Sequence, residues 1–270
     1  MLKRTAAKAV LIAALFLTPA TAFAFGHEVQ LFHLIPGVNR LPMHVVLFFV
    51  VGILLLALAF AVRRQILPAL EQGEEALAPP EKFGLRTVFE MATEMTMSLG
   101  DQTIDKGARP YASMLLGLTF VILFSNLIGL IPGFSPPTGN WSTTVALAIA
   151  AFVYYHICGF KEHGLSYLMQ FLGPLEMKWY MRIVILPFTL IMLLIEVVGH
   201  LARILSLSVR LFANMFADHM VISVFASLVA VPLLFTVPFS ALGLLVCLIQ
   251  TLVFVFLTIV YIALAVSHEH

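Results

Sequence analysis

Six polar groups recur along one otherwise apolar stretch of the chain: Glu196, His200, Arg203, Arg210, Asn214 and Asp218. On a helix advancing about 100° per residue they share an arc of about 80°, while His219 and Ser206 project elsewhere. At ~1.5 Å per residue the stripe is about 33 Å long, close to the ~30 Å hydrocarbon core of a bilayer. Glu196, Arg203, Arg210 and Asp218 are the only formal charges between Ile183 and Ser267. A charge at bilayer depth costs about 2.5–3.5 kcal/mol on insertion scales, so such groups face a partner or a water-filled cavity. The chemistry that suits the stripe is passage of an ion through a membrane.

Pairing within the helix does not account for these charges. Glu196 and Arg203 lie two turns apart and pair only through water or the intervening His200. Arg210 has Ser206, Leu207, Ala213 and Asn214 at its i±3 and i±4 positions, none of them acidic. The last apolar stretch offers no carboxylate before Glu269, only Gln250, Thr258 and Tyr261 on one face. The anion that meets Arg210 is therefore most simply on another subunit.

The elements that position the stripe follow from composition. Hydrophobic residues make up 61% of the 270 and charged residues 11%, against about 25% charged in soluble domains. This excludes a soluble protein and indicates an all-α, polytopic membrane protein in contact with a lipid bilayer. A net charge of +1 leaves no field for nucleic acid. Cys158 and Cys247 lie far apart in apolar runs and read as small hydrophobes. The histidines show no ligand spacing, so no metal or other cofactor is expected.

His44 to Val62 fits one crossing, which Arg63-Arg64 should stop. Gln65 to Pro110 holds most of the soluble charge. Within it Leu85, Val88, Phe89, Ala92 and Met95 repeat at helical spacing, predicting an amphipathic helix along the membrane surface. Tyr111–Ile131 and Thr143–Phe160 are two further crossings around the uncharged turn Pro132–Trp141. Phe188 to Val231 contains no proline and one glycine; it predicts a single long helix, too long to cross upright and therefore strongly tilted. Pro232 and Pro238 should mark a turn before the last long helix, Phe239–Val266. The fold class is thus three near-perpendicular transmembrane helices, one surface amphipathic helix and two long tilted ones. By region, 25–110 holds the first crossing and the amphipathic segment, 111–182 a helical hairpin, and 183–270 the helix pair that forms the ion pathway.

Lys3, Arg4 and Lys8 precede a short apolar core, and Ala22-Phe23-Ala24 has the small-x-small form of a cleavage site, so 1–24 reads as a signal peptide. The basic residues cluster in two gaps, Arg63 to Arg109 and Lys161 to Arg182, and none lies in Pro132–Trp141. The positive-inside rule then places both gaps and the C-terminus in the cytoplasm, with the N-terminus outside.

Ser206-Leu-Ser-Val-Arg210-Leu-Phe-Ala-Asn214-Met-Phe-Ala-Asp-His219 closely resembles the signature of the a subunit of F-type ATP synthases. Phe124-Ser-Asn126-Leu-Ile-Gly-Leu-Ile-Pro132-Gly and Gln250-Thr-Leu-Val-Phe-Val-Phe-Leu-Thr258-Ile-Val-Tyr261 resemble two further blocks. The likeness covers roughly Phe32 to His270. It implies a non-catalytic stator channel in the bacterial inner membrane, beside a rotating ring of c subunits that each carry a mid-membrane carboxylate. Peripheral-stalk b subunits and other ATP synthase subunits are implied partners. By resemblance Arg210 faces the ring carboxylate, and Asn214, His219 and Gln250 line the half-channel from the outer side. Glu196 marks the half-channel toward the cytoplasm, and Arg203 matches a position that tends to be basic. His200, Asp218 and Ser206 complete the residues assigned to ion translocation.

The chain departs from the family once. Many members pair an ionisable residue at the position of His219 with a second one seven residues before the glutamine, which here is Gly243. A secondary transporter would also hide mid-membrane charges, but it should show an internal repeat and broken helices, and the two halves here do not resemble each other. An intramembrane enzyme would need a nucleophile–base pair; Ser206 and Ser208 do not share a face with His200 and His219. If the leader is removed, mass spectrometry of the purified chain is expected to find Phe25 at the N-terminus; an intact Met1 would refute cleavage.

Overall fold

The computed structural model describes residues 42–71, 84–131, 134–164, 167, 179–228 and 232–267. The leader lies outside the described residues, as do Lys178 and the tail from His268. Among the described residues the long helices are, in chain order, α1 (Met43–Glu71), α2 (Leu85–Thr103), α3 (Ala112–Ile128), α4 (Trp141–His163), α5 (Trp179–Leu228) and α6 (Pro232–Val266). Short 3-10 turns at Arg109–Tyr111 and Pro137–Gly139 lead into α3 and α4. No strand occurs among the described residues, and every long helix except α2 is long and apolar enough to cross a membrane.

Three expected boundaries are corrected. α1 does not stop at Arg63-Arg64 but continues to Glu71. Arginine is a good helix former, and the Arg64 guanidinium lies 4.5 Å from the centroid of the Phe60 ring one turn back. α5 begins at Trp179, ahead of Phe188, and includes Pro187 in its 50 residues. In an apolar environment the backbone has no other hydrogen-bond partners, so the helix persists around a single proline. Pro232 opens α6, where its missing N–H is an orphan anyway, but Pro238 lies inside the helix and not in the turn.

The core is built around α6, against which α2, α3, α4 and α5 all pack. Its buried positions, Cys247, Gln250, Thr251, Phe254, Val255, Thr258, Ile259 and Ile262, recur at three- and four-residue steps and cover a wide face. Thr251 and Thr258 donate to the carbonyls of Cys247 and Phe254 at 2.7 and 2.9 Å, so their hydroxyls carry no unmet demand into the core. Both cysteines are buried and free. Leu207, Leu211 and Met215 give α5 its buried seam, while Leu190, Ile191, Leu194, Ile195, Val198 and Leu201 leave its other side apolar and exposed.

α2 is amphipathic as expected, but its buried face is rotated from the expected one. Val88 and Met95 are exposed, whereas Thr96 and Gly100 are buried. Thr96 and Thr119 of α3 approach to 3.2 Å through their hydroxyl oxygens, and Phe89 stacks on Phe120 with centroids 4.7 Å apart. Thr96 donates to the Ala92 carbonyl and Thr119 to the Leu115 carbonyl, both at 2.8 Å, so two hydroxyls satisfied on their own helices meet at the contact and the methionines turn outward. The turn after α2 is closed by Asp101 Oδ1, which accepts the Ala108 N–H at 2.7 Å, and by Gly107 at φ +78°, a backbone region that favours glycine.

The bundle has two chemically different ends. Lys106 pairs with Glu162 at one end, where α4 finishes with Lys161 and His163. The other end carries the uncharged turn Pro137–Gly139, and Asn140 caps α4 by accepting the Ser142 N–H at 3.0 Å. Gly100 permits the close approach of α2 to the loop below it: a Cβ there would stand 2.4 Å from Ala108 Cβ, an atom fixed to its own backbone. Gly100→Ala is therefore expected to destabilise this contact by about 1–3 kcal/mol, measured as loss of folded chain on mild heating in detergent.

Candidate functional site

α5 and α6 run antiparallel, and their facing pairs carry the polar residues picked out above. Arg203 meets Tyr261, with its guanidinium carbon 5.3 Å from the ring centroid. Asn214 Nδ2 donates to Gln250 Oε1. Asp218 lies over Gly243: a Cβ built there would be 2.7 Å from Asp218 Oδ2 and 2.8 Å from Leu130 Cδ2. These contacts run from the basic end of the bundle to the uncharged one.

At the basic end a cavity of about 230 Å³ is lined by Tyr155, Tyr167, Glu196, His200, Arg203 and Tyr261, among others. Glu196 Oε1 lies 3.4 Å from His200 Nε2, and the Tyr155 hydroxyl lies 3.1 Å from His200 Nδ1. His200 thus serves Glu196, while Arg203 turns to Tyr261. The Tyr167 hydroxyl is 2.9 Å from His156 Nδ1. Burial pushes the Tyr167 phenol above its ordinary range despite the opposing pull of Arg203, so it remains a neutral hydroxyl.

At the uncharged end a second cavity, of about 270 Å³, is lined by His44, Ser135, Asn140, Phe216 and His219 among others. His44 Nε2 lies 3.1 Å from Ser142 Oγ, which donates to Asn140 Oδ1 at 2.7 Å. Between the ends, Gln250 is 3% exposed, and its Nε2 has no hydrogen-bond partner among the described residues. Asn126 is buried too: its Oδ1 accepts from Thr138 at 2.6 Å, while its Nδ2 is unpartnered.

Arg210 lies between the two cavities and is half-buried. It forms no ion pair with any described residue. Along α5 it is seven residues from Arg203 and eight from Asp218, about 10–12 Å of rise either way. The structure therefore brings Glu196, His200 and Arg203 to one cavity and His219 to the other. It joins Asn214 to Gln250, and leaves Ser206 exposed and away from both linings.

Tyr155, His156, Tyr167, His44 and Asn126 were missed as site residues. The available signal was the one that exposed the stripe on α5, polar groups inside apolar runs; Tyr155 and His156 are such groups within α4. Among the described residues, no three His, Cys, Asp or Glu side chains could hold a metal ion.

A bundle of helices long and apolar enough to cross a membrane, with charged residues along one of them, defines the class: a polytopic membrane protein. Residues 40–263 match the family model described as ATP synthase A chain, and the chain belongs to that family: it is a membrane-sector subunit of an F-type ATP synthase, serving ATP synthesis and proton transport. It is 38% identical over 238 residues to an ATP synthase subunit a of Bdellovibrio bacteriovorus, covering 88% of this chain and 97% of the relative. It is 44% identical over 187 residues to an ATP synthase subunit a 1 of Syntrophotalea carbinolica, covering 69% and 75%. An ATP synthase subunit a of Geobacter sulfurreducens is 38% identical over 187 residues, covering 69% and 76%.

Asp218 occupies the space that a side chain at Gly243 would fill, and Leu130 closes the other side. Gly243→Val is expected to displace the Asp218 carboxylate and slow proton flow several-fold, read as passive acidification of vesicles stripped of the catalytic head. Wild-type flow in that variant would refute the placement.

Proposed function

We propose that this chain is the stator channel of its ATP synthase. In this reading it offers two offset half-channels to the carboxylates of a rotating c ring, with Arg210 as the cation that separates them. The observation that carries it is the position of Arg210 on α5 between the two cavities, with no ion-pair partner among the described residues. The counter-ion then comes from another subunit, and a ring carboxylate passing this point is the partner. The exposed apolar side of α5 supports a neighbouring surface there, either lipid or the ring itself.

The physics of the exchange follows. A carboxylate must be neutral to travel through lipid. Opposite Arg210 its ionised form is favoured by the nearby cation. Arginine keeps its proton at any working pH, so Arg210 passes none across, and protons have to ride the ring. The cavity of His219 and His44, with Asp218 and the Asn214–Gln250 pair leading inward, serves the outer side. The cavity of Glu196, His200 and Arg203 serves the cytoplasmic side. Asp218, standing over Gly243, supplies the ionisable group missing from α6. The N-terminus lies outside, the C-terminus lies in the cytoplasm, and b subunits of the peripheral stalk hold the chain against the ring's torque.

Two variants test the assignment in vesicles carrying the whole complex. Arg210→Ala should insert readily, since it removes a costly charge, yet abolish ATP-driven acidification. The same membranes, stripped of the catalytic head, should still pass protons. Arg210→Lys keeps the charge but not the fork or the secure protonation, and should not restore coupling. Pumping by Arg210→Ala at near wild-type rate would sink the reading.

A further inference from the structure

Two histidines from different helices meet beside the cavity at the basic end. His156 of α4 and His200 of α5 have ring centroids 4.8 Å apart. Each is held by a tyrosine hydroxyl at Nδ1, Tyr167 at 2.9 Å and Tyr155 at 3.1 Å. His200 has Glu196 at its second nitrogen, 3.4 Å away. Both tyrosines, with Glu196, His200 and Arg203, line the cavity, so the cluster reaches water.

The contacts dictate how this cluster handles a proton. Glu196 Oε1 stands 3.4 Å from Nε2, within ion-pair reach but not hydrogen-bonded to it. An ionised carboxylate only accepts, so neutral His200 facing it carries its hydrogen on Nε2 and accepts from Tyr155 at Nδ1. Tyr155 gives its hydrogen to Nδ1 as it takes one from protonated cavity water, and the Nε2 hydrogen passes to the Glu196 carboxylate. One proton enters at Nδ1 and one leaves from Nε2, so the ring ends with the same charge and the opposite tautomer. Once Glu196 has released its proton, exchange of the ring with cavity water restores the first tautomer with no net charge moved.

The charged and titratable groups facing the pair are Glu196 and Arg203 on α5, Tyr155 on α4, Tyr167 beyond α4 and Tyr261 on α6. Glu196 is the only anion among them. Two imidazolium rings this close, with the Arg203 guanidinium beside the same cavity, would set three cations against one carboxylate. The pair therefore holds one positive charge at most.

Resting on the stator reading above, we propose that Glu196–His200–Tyr155 is a side-chain proton relay at this cavity, and that His156, positioned by Tyr167, shares with His200 the single charge the two rings can hold. The relay confines conduction here to protons, since a metal cation cannot pass through an imidazole by tautomer exchange.

Vesicles carrying the assembled complex are prepared with wild-type chain, His200→Gln, Tyr155→Phe, His156→Gln and the His156→Gln/His200→Gln double variant. ATP-driven acidification is followed from about pH 4 to 8.5, which covers the range of a free imidazole and its acid side, and assembly is checked by co-purified c subunits. Glutamine keeps two hydrogen-bonding ends but cannot exchange tautomers. His200→Gln should pump several-fold more slowly and lose the pH dependence of the wild type over this range. Tyr155→Phe removes one oxygen and keeps the ring, and should show the same loss where the glutamine variant packs poorly. His156→Gln should alter the pH profile, and the double variant should lose no more than His200→Gln alone. Wild-type rate and profile in either His200→Gln or Tyr155→Phe would overturn the relay, and additive losses in the double variant would overturn the shared charge. Arg210→Ala in the same vesicles separates the two levels: if it stops pumping while His200→Gln behaves as wild type, only the relay fails.

Discussion

Hydrocarbon does not solvate charge, and a helix that carries four ionised side chains into it must be matched side chain by side chain. α6 does the matching for α5. It presents an aromatic face to Arg203, an amide to Asn214 and empty space to Asp218. Each solution has a different physical basis: a ring quadrupole for a cation, a hydrogen bond for an amide, and volume for a carboxylate that must stay open to water. Glu196 is met by His200 of its own helix, and Arg210 forms no ion pair within the described chain, so the matching is left open at Arg210.

The polar contacts depend on a few positions where a side chain would obstruct. A Cβ at Gly159 would stand 2.6 Å from the Tyr167 ring, so this glycine lets the tyrosine lie against α4 and reach His156. Gly129 does the same for Pro136 at the opposite end, where an added Cβ would come within 2.6 Å of the proline ring. That contact holds the Pro137–Gly139 turn over α3, and with it the Thr138–Asn126 hydrogen bond. Close packing and polar satisfaction are therefore one problem in this bundle, because buried hydroxyls and amides find partners only where backbones approach closely.

Most of the fold was legible in the sequence because hydrocarbon permits so few structures. Continuous apolar runs had to be helices, and five of them appear where they were expected. What the runs could not convey were the ends. Pro187 and Pro238 look like breaks, yet both lie inside helices. On α2, periodicity gave the helix but turned its face wrongly, since Thr96 is buried by pairing with Thr119 and no apolar scale anticipates that. In the site, the stripe on α5 was readable because its residues share one helix and one periodicity. His156, Tyr155 and Tyr167 join it only through tertiary packing, and His44 comes from the far end of the chain. The approach of Asp218 to Gly243 needed both helices at once.

Proton-exchanging groups are unevenly distributed along α5. Glu196 and His200 stand at one end and Asp218 and His219 at the other, all of them side chains that can bind and release a proton. The centre holds Arg210, which cannot. A lysine there would have a route to neutrality, and with it a way to hand a proton along the stripe. A glutamate would draw protons in from both sides. Only a side chain that stays charged and keeps its protons can lie on a polar track and still interrupt it. The stripe is continuous as a polar surface and discontinuous as a proton path, and the break falls where α6 leaves the charge unmatched.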